Sequence, residues 1–390
     1  HDTVRRQRQM CIRDSSYRNP VDELRYFDGG RWPKATDGGG STLELRNLNA
    51  DNGDAVAWAA SDESNRTEWK TYTYRERAAS SRGPDNQWRE FNMGLLSDGE
   101  ILIDDISVIE NPDGGAVQKL SDTTFNNPAA WKLVGNHRHG EIIDDPDTPG
   151  NKVLRIVATG ATEHMHNQIF TKLSSPISNG TEYEISFRAR WVSGSRQLHT
   201  RLYFNRCANV NLIDRPQDVG TPSAPNSRAE VNIGPTFSGM KHSPAVPSAG
   251  EPTTVSVVAN DPDGISSLTL FYSVNGGVFQ TVGMGGGADG IYSGQVPGQS
   301  AGARVQFYLT GADSAGAMQT FPQAGPDSRA MFQVSDGSAA TNGWRNFRII
   351  MTAADSTFQH RSIEVMSNDR LGATIIAVSY THLTLPTNCV

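Results

Sequence analysis

The chain has 390 residues, with 35 Lys and Arg against 42 Asp and Glu, for a formal charge of −7. That length predicts two to four domains with cores of their own, and the acidic balance excludes a nucleic-acid footprint, which needs a basic face. No apolar run reaches the roughly 18–20 residues of a membrane-spanning helix, and three cysteines (Cys11, Cys207, Cys389) are too few for a disulfide framework or a Cys-rich zinc site.

Thirty-eight glycines and 20 prolines punctuate short apolar runs, which predicts many short strands rather than helices. Val21–Trp32 (VDELRYFDGGRW) reads as a strand, a Gly-Gly turn and the start of another strand. In Gly38–Ser61 (GGGSTLELRNLNADNGDAVAWAAS), Leu43, Leu45 and Leu48 set out a period-two apolar face, with Glu44 and Arg46 pointing away. Asn49–Asp54 is a polar turn, and Ala55–Ala60 is a strand around Trp58. Trp69–Tyr74, Trp88–Met93 and Glu100–Val108 follow as strands, the last with Leu102, Asp104, Ile106 and Val108 on one face. After a linker turn at Asn111–Gly115, further strands are expected within Leu120–Trp131 and at Val153–Val157, Gln168–Lys172, Tyr183–Trp191 and Leu198–Phe204. Beyond Thr236 they are expected at Thr253–Ala259, Ser267–Val274, Val278–Val282, Tyr292–Val296, Arg304–Ala312 and Ala330–Val334. Turn signals such as Asp261-Pro262-Asp263-Gly264 and Asn275-Gly276-Gly277 separate these strands. Such spacing indicates an Ig or fibronectin type III sandwich. Phe347–Met351 is a strand, and Thr352 caps a short helical run with Asp355 in a capping-box position.

Several stretches resemble known families. Gly38–Ser61 resembles the closing half of a bacterial lamin-tail domain, a small Ig-like sandwich. The Gly-Thr-Pro-x-Ala-Pro-Asn turn that normally follows within a few residues stands far downstream, at Gly220–Asn226. The resemblance implies that a second domain was inserted into the last lamin-tail loop. Glu100–Val108 resembles the final strand of jelly-roll carbohydrate-binding modules, and Leu120–Trp131 the first. The inserted body then reads as a circularly permuted jelly roll, with two separate partial sandwiches as the alternative. Gly343–Arg370, and FRIIMTAAD within it, resembles the opening of the spore-coat-H-type kinase-like domain of large secreted bacterial proteins. The catalytic residues of that family would lie beyond Ala377, so none is carried over. Met10–Ser15 (MCIRDS) and Val378–Thr387 (VSYTHLTLPT) resemble translated sequencing-adapter read-through and are set aside.

The expected fold class is all-β, as tandem sandwiches with a truncated α+β start at the C-terminus. The expected division is a non-native tail (1–16), a partial lamin-tail domain (17–64), an inserted jelly roll (65–216), and the returning turn and linker (217–235). An Ig/fibronectin type III-like domain (236–336), the kinase-like start (337–377) and a second non-native tail (378–390) complete it. The resemblance implies an extracellular or cell-surface location.

Asp104 on an apolar strand face needs a cation or donors. In jelly-roll binding modules the equivalent aspartate often helps hold a structural calcium, with a glutamate after the first-strand Phe as a second ligand. Here that position is Asn126, so backbone donors are the alternative. His137/His139 and His164/His166, the latter beside Glu163, are His-x-His pairs that on a strand could offer two imidazoles to one zinc. Asp261, Asp263 and Asp313 either share a cation or simply build a turn. For sugar binding, aromatic faces stack on pyranose rings while polar neighbours bond hydroxyls. The candidates are Trp131, Trp191, Tyr203, Arg201, Asn205, Asn167 and Gln168, with Trp131 and Trp191 also matching core positions. No Gly-x-Ser-x-Gly elbow, Walker loop or His-Glu-x-x-His is present. The expected function is therefore non-catalytic: β-sandwich modules that bind glycan (extracellular polysaccharide or cell-surface components) or act as a scaffold, and that present a downstream kinase-like domain. A carbohydrate-active enzyme in the jelly roll and a structural adhesion stalk are the alternatives.

Overall fold

The computed structural model describes residues 24–27, 30–162, 166–287, 289–339 and 346–378. The segment Met10–Ser15, the beginning of the Val21–Trp32 strand, Glu163, His164 and residues 379–390 lie outside them. The protein is all-β: strands gather into separate sheets stacked as tandem sandwiches, and among the described residues there is one α-helix.

The chain opens with a hairpin of β1 (Leu43–Leu45) and β2 (Trp58–Ala60), paired antiparallel with Leu43 opposite Ala60 and Leu45 opposite Trp58. Asp54 accepts from the Val56 amide and starts the short turn into β2, and the Trp58 indole donates to the Asn52 carbonyl. The expected alternation is inverted here. Glu44 is the buried residue of β1, and Leu48 is 88% exposed. The reason lies 180 residues downstream. Glu44 Oε1 accepts from Thr221 Oγ1 (2.7 Å), and Oε2 accepts from Ser227 Oγ (2.7 Å) and the Arg228 amide (3.3 Å). Buried Glu63 likewise takes the Gly220 amide (2.7 Å) and the Ser61 hydroxyl (2.6 Å). Two carboxylates thus bind the 38–63 stretch to residues 220–231. Asn226 Nδ2 donating to Leu45 O and the Glu230 amide to Arg46 O extend the seam.

Between these two stretches lies the largest sandwich. Its strands are β3 (Lys70–Arg77), β4 (Glu90–Leu95), β5 (Gly99–Glu110), β6 (Val117–Gln118), β7 (Trp131–Val134) and β8 (Glu141–Asp144). They continue with β9 (Lys152–Ala158), β10 (Gln168–Lys172), β11 (Glu182–Gly194), β12 (Gln197–Leu202) and β13 (Arg206–Leu212). One sheet runs β13-β12-β4-β10-β7; the other runs β3-β11-β5-β9-β8, with β6 on the edge of β5. The two inner faces close on one core that includes Phe91, Met93, Leu95, Ile101, Ile103, Phe125, Phe187 and Leu198. Each such side chain contributes about 1.5–3 kcal/mol by leaving water. The segment after β6 belongs to the same core through Leu120 and Phe125, and its Thr123 carbonyl accepts from the Ile106 amide of β5.

β5 departs from simple alternation. Its pairing with β11 shifts between Ser186 and Arg188, and Asp105 sits in the left-handed region at φ +47°. A bulge adds one residue and flips the faces that follow. Ile101 and Ile103 before it, and Ile106 and Val108 after it, therefore all enter the core. Leu102 and Asp104 leave the face on which the sequence reading puts them.

The second sandwich comprises β14 (Thr236–Ser243), β15 (Thr253–Asn260), β16 (Ile265–Val274), β17 (Gln280–Gly283) and β18 (Gly285–Gly286). It is completed by β19 (Ile291–Val296), β20 (Arg304–Asp313), β21 (Met318–Phe321) and β22 (Met331–Gln333). A β14-β15-β19-β18 sheet faces a β17-β16-β20-β21 sheet that also carries β22. Phe307 enters the core between them; its neighbour Tyr308 faces outward, stacked on Phe271 at 4.7 Å. The last pieces are β23 (Asn346–Ile350), helix α1 (Ala353–Gln359) and β24 (Thr374–Val378). Thr352 caps α1, accepting from the Asp355 amide at 3.1 Å. Ile350 and Ile376 pack into the second core. Residues 363–369 turn back onto the first sandwich, where the Gly135 amide donates to Glu364 and Thr159 Oγ1 to Asp369.

Burial pushes the Glu44 carboxyl up, but the donors from Thr221, Ser227 and Arg228 outweigh it and hold it below the usual value. A lowered folded pKa stabilises above the ordinary carboxylate range and is lost as pH falls through the folded value. Glu44→Ala is expected to cost about 2–3 kcal/mol at neutral pH and less in acid. It should also open tryptic cleavage at Arg228, as followed by denaturant melts and peptide mapping. Gly40, at φ +86°, lies under Trp191, where a Cβ would come within 2.8 Å of the indole ring. Gly40→Ala is expected to lower stability by about 1–3 kcal/mol, measured by thermal unfolding with tryptophan fluorescence.

Candidate functional site

The outer face of the five-stranded sheet is where polar groups converge. On β4, Phe91, Met93 and Leu95 point into the core, so Asn92 and Gly94 point out, in file with Glu90 and with Trp88 just before the strand. On β12, Leu198 and Leu202 point in, so His199 and Arg201 point out, in file with Tyr203. Register sets Arg201 opposite Asn92 and His199 opposite Gly94; on the other flank Phe170 of β10 stands opposite Asn92.

Over this face lies a groove of about 470 Å³, lined among others by Thr162, Asn167, Gln168, His199, Arg201 and Asn205. Arg201 bridges it, with Nη1 donating to Asn205 Oδ1 (2.5 Å) and Nη2 to Gln168 Oε1 (3.2 Å). Its Nε is buried without an acceptor. Asn92, 1% exposed, has neither amide atom bonded. Gly94 packs closely on His137: a Cβ there would come to 3.0 Å from the imidazole. His137 is buried, accepts the Leu95 amide at Nε2, and is held to a pKa of about 4 by desolvation. His199 is also brought down to about 4, by burial first and the positive charge of Arg201 second. Burial lowers Arg201 itself.

Next to lining residue Asn205, the turn from β12 to β13 carries an aromatic cluster. Trp88, Tyr203 and Phe204 stand at centroid distances of 4.9, 4.5 and 5.9 Å from one another. Trp88 is 38% and Phe204 43% exposed. Phe204 and Asn205 both adopt left-handed backbone, φ +62° and +59°. That conformation suits Asn and strains Phe.

Four residues singled out from sequence, Asn167, Gln168, Arg201 and Asn205, line this groove, and Tyr203 stands in the adjoining cluster. Trp131 and Trp191 do not belong with them. Both are buried in the core: the Trp131 indole donates to Asp122 and packs on Phe125, and that of Trp191 donates to the Gly194 carbonyl. Neither can present a face to a sugar. The residues not foreseen are Trp88, Asn92 and His199. Their signal was the outward parity of Trp88, Asn92 and Gly94 once Phe91 and Met93 are assigned to the core.

The proposed metal ligands find other partners. Asp104 is buried and satisfied, accepting from the Asp105 amide (2.8 Å) and Asn151 Nδ2 (3.0 Å), with Arg188 at 3.7 Å. Asn126 is exposed and donates to Thr124 Oγ1, which does not recreate the second ligand. Asp104 thus has one backbone donor, one side-chain amide donor and a nearby guanidinium. His137 is committed to the Leu95 amide while His139 faces Asp369 at 3.1 Å, so that pair shares no ligand. His166 faces the Ile363 carbonyl at 2.8 Å; its partner His164 lies outside the described residues. Among the described residues, the carboxylate group compact enough for a cation is Asp261, Asp263 and Asp313, with oxygens within 4.8 Å. There Asn232 donates to Asp313, and Asp261 takes the Asp263 amide as the turn reading expects.

No family model and no curated protein matches the chain. Among solved structures it is similar to the Br derivative of BhCBM56, at 16% identity over 27% of this chain and 96% of that one, with a TM-score of 0.18. It is also similar to a DUF4785 family protein of Legionella pneumophila (9% identity, 82% and 75% covered, TM-score 0.20). A third is pullulanase from Bacillus acidopullulyticus (12% identity, 72% and 37% covered, TM-score 0.17). TM-scores this low carry no argument about overall shape or activity, and the lamin-tail and spore-coat-H-type resemblances rest on their quoted motifs alone.

Proposed function

We propose that the first sandwich binds a carbohydrate chain along the groove of its five-stranded sheet and does not cleave it. The observation that carries this reading is the pairing of two kinds of surface side by side on one sandwich. Polar side chains of Gln168, Arg201 and Asn205 line the groove, with the buried Asn167 behind them, and the turn that carries Asn205 also carries the cluster with the part-exposed rings of Trp88 and Phe204. A pyranose offers the complement of both, with hydroxyls around its rim and apolar C–H faces. Supporting binding over hydrolysis, the described residues lining the groove include no Asp or Glu, whereas glycoside cleavage needs a pair of carboxylates across the scissile bond. Glu163 follows lining residue Thr162 in the chain but lies outside the described residues. Location outside the cell, and presentation of a spore-coat-H-type kinase-like domain, enter this proposal through the resemblance of FRIIMTAAD and its neighbouring modules.

The test is affinity electrophoresis and calorimetry of the whole chain against a panel of soluble polysaccharides. At least one polymer is expected to retard it without releasing reducing ends. Trp88→Ala should weaken that binding by about tenfold and Gln168→Ala by about threefold, with melting temperatures showing that both variants fold. Retardation by no polymer in the panel would sink the reading, and release of reducing ends would replace binding with catalysis.

A further inference from the structure

Resting on that glycan-binding reading, we infer that the ligand is an acidic polysaccharide, whose anionic group, a uronate carboxylate or a sulfate ester, seats on the guanidinium of Arg201. The argument begins with what Arg201 lacks. Across the opposite sheet of the same sandwich, arginines meet carboxylates: Arg155 bonds Glu100 and Glu141, Arg188 bonds Asp105, and Arg190 bonds Asp147. Arg201 is part-buried beside the groove, yet its acceptors are the neutral amide oxygens of Asn205 and Gln168. Among the described residues it makes no ion pair, and its Nε is buried without any partner.

Taking a cation out of water without a counter-charge is costly, and an anion restores what burial removes. The fork of a guanidinium suits a carboxylate or sulfate in particular, since two parallel N–H groups can meet two oxygens. Asn205 and Gln168 hold that fork in place from two sides. Arg82, which donates to the Asn205 carbonyl, adds a second positive charge to the lining. The carboxylate on this face, Glu90, stands one pleat along β4 from Asn92 and opposite Lys172 of β10, and is not paired with Arg201. Among the described residues the lining is therefore cationic in a chain of charge −7, an inversion that general solubility does not explain. Burial lowers Arg201, and burial together with the Arg201 charge lowers His199 to about 4, which leaves Arg201 and Arg82 as the positive groups of the described lining.

The experiment compares three polymers with the intact chain: polygalacturonate, a sulfated galactan, and a neutral galactan. Calorimetry is expected to show one or both acidic polymers binding at least about tenfold more tightly than the neutral one, with the gap closing as salt is added. Which acidic polymer wins separates carboxylate from sulfate ester. Arg201→Gln should bring acidic binding down to the neutral level, and Arg201→Lys, which keeps the charge but loses the fork, should recover part of it. Both variants are to be checked by thermal melting. Neutral galactan binding as tightly as the acidic polymers, with no loss in Arg201→Gln, overturns this inference and leaves the groove a glycan site. Binding of no glycan in the wider panel overturns the glycan reading, and this one with it.

Discussion

The antiparallel pairing of β4 with β12 is the constraint on which the groove depends. A strand shows its side chains to alternate faces, and both of these strands spend one face on the core. Once Phe91, Met93 and Leu95 are inside, Asn92 and Gly94 have no choice but to look outward. Once Leu198 and Leu202 are inside, so do His199 and Arg201. The register then determines which outward residues meet, with Arg201 across from Asn92. A slip of one residue would send the amide and the guanidinium into the core and the apolar residues into the groove. The buried apolar surface of the core therefore also fixes the geometry of the polar site.

The end of the groove is built by more than one part of the chain. Asn167 lines it, and the same side chain accepts the Asn136 and Asn368 amides while donating to the Met366 carbonyl. Arg138 lies over the Phe358 ring at 4.1 Å, and Asp369 takes the hydroxyl of Thr159. The segment after α1 is thus bonded to the sandwich through a buried residue in the wall of the groove. Reorienting Asn167 would break three hydrogen bonds to two segments of the chain, so its rotamer and the seating of the segment after α1 depend on each other.

Strand identities were largely readable from alternation and turn residues. The strand placed at Ser267–Val274 is observed at Ile265–Val274, and the Thr352 cap on α1 sits where its pattern put it. Which face a residue takes was less readable, and the failures share a cause. Glu44 was assigned outward by its alternation with Leu43 and Leu45, but the donors that make its burial tolerable come from Thr221, Ser227 and Arg228, which no local pattern connects to it. Asp104 was assigned inward because the count ran through Asp105 as if the strand were regular, and a bulge resets that count without a glycine to announce it. Trp131 and Trp191 were candidates because an indole serves a core and a binding platform equally well. Their partners, Asp122 and the Gly194 carbonyl, decide for the core. Arg201, Gln168, Asn167 and Asn205 were legible because their chemistry is informative on either face, and only their convergence needed coordinates.

The seam between residues 38–63 and 220–231 follows the same logic with the opposite sign of charge. Glu44 and Glu63 are both almost fully buried, and between them they collect donors from Gly220, Thr221, Ser227, Arg228, Ser61 and Arg66. Removing two carboxylates from water offsets much of what those bonds return, so the seam adds less stability than its bond count implies. What it adds is selectivity. An apolar seam would tolerate sliding, whereas a buried carboxylate is tolerable only where its own donors meet it. Gly220 illustrates the tightness required, since a Cβ there would fall within 2.3 Å of the Thr42 hydroxyl. The sandwich held between these two stretches is consequently anchored at both of its ends by one small hairpin. Gly40 of that hairpin's approach rests against Trp191, and the Gly39 carbonyl takes the Gly194 amide at the end of β11. Anchoring of this kind lets the far sheet, with its groove, stay clear of the junction.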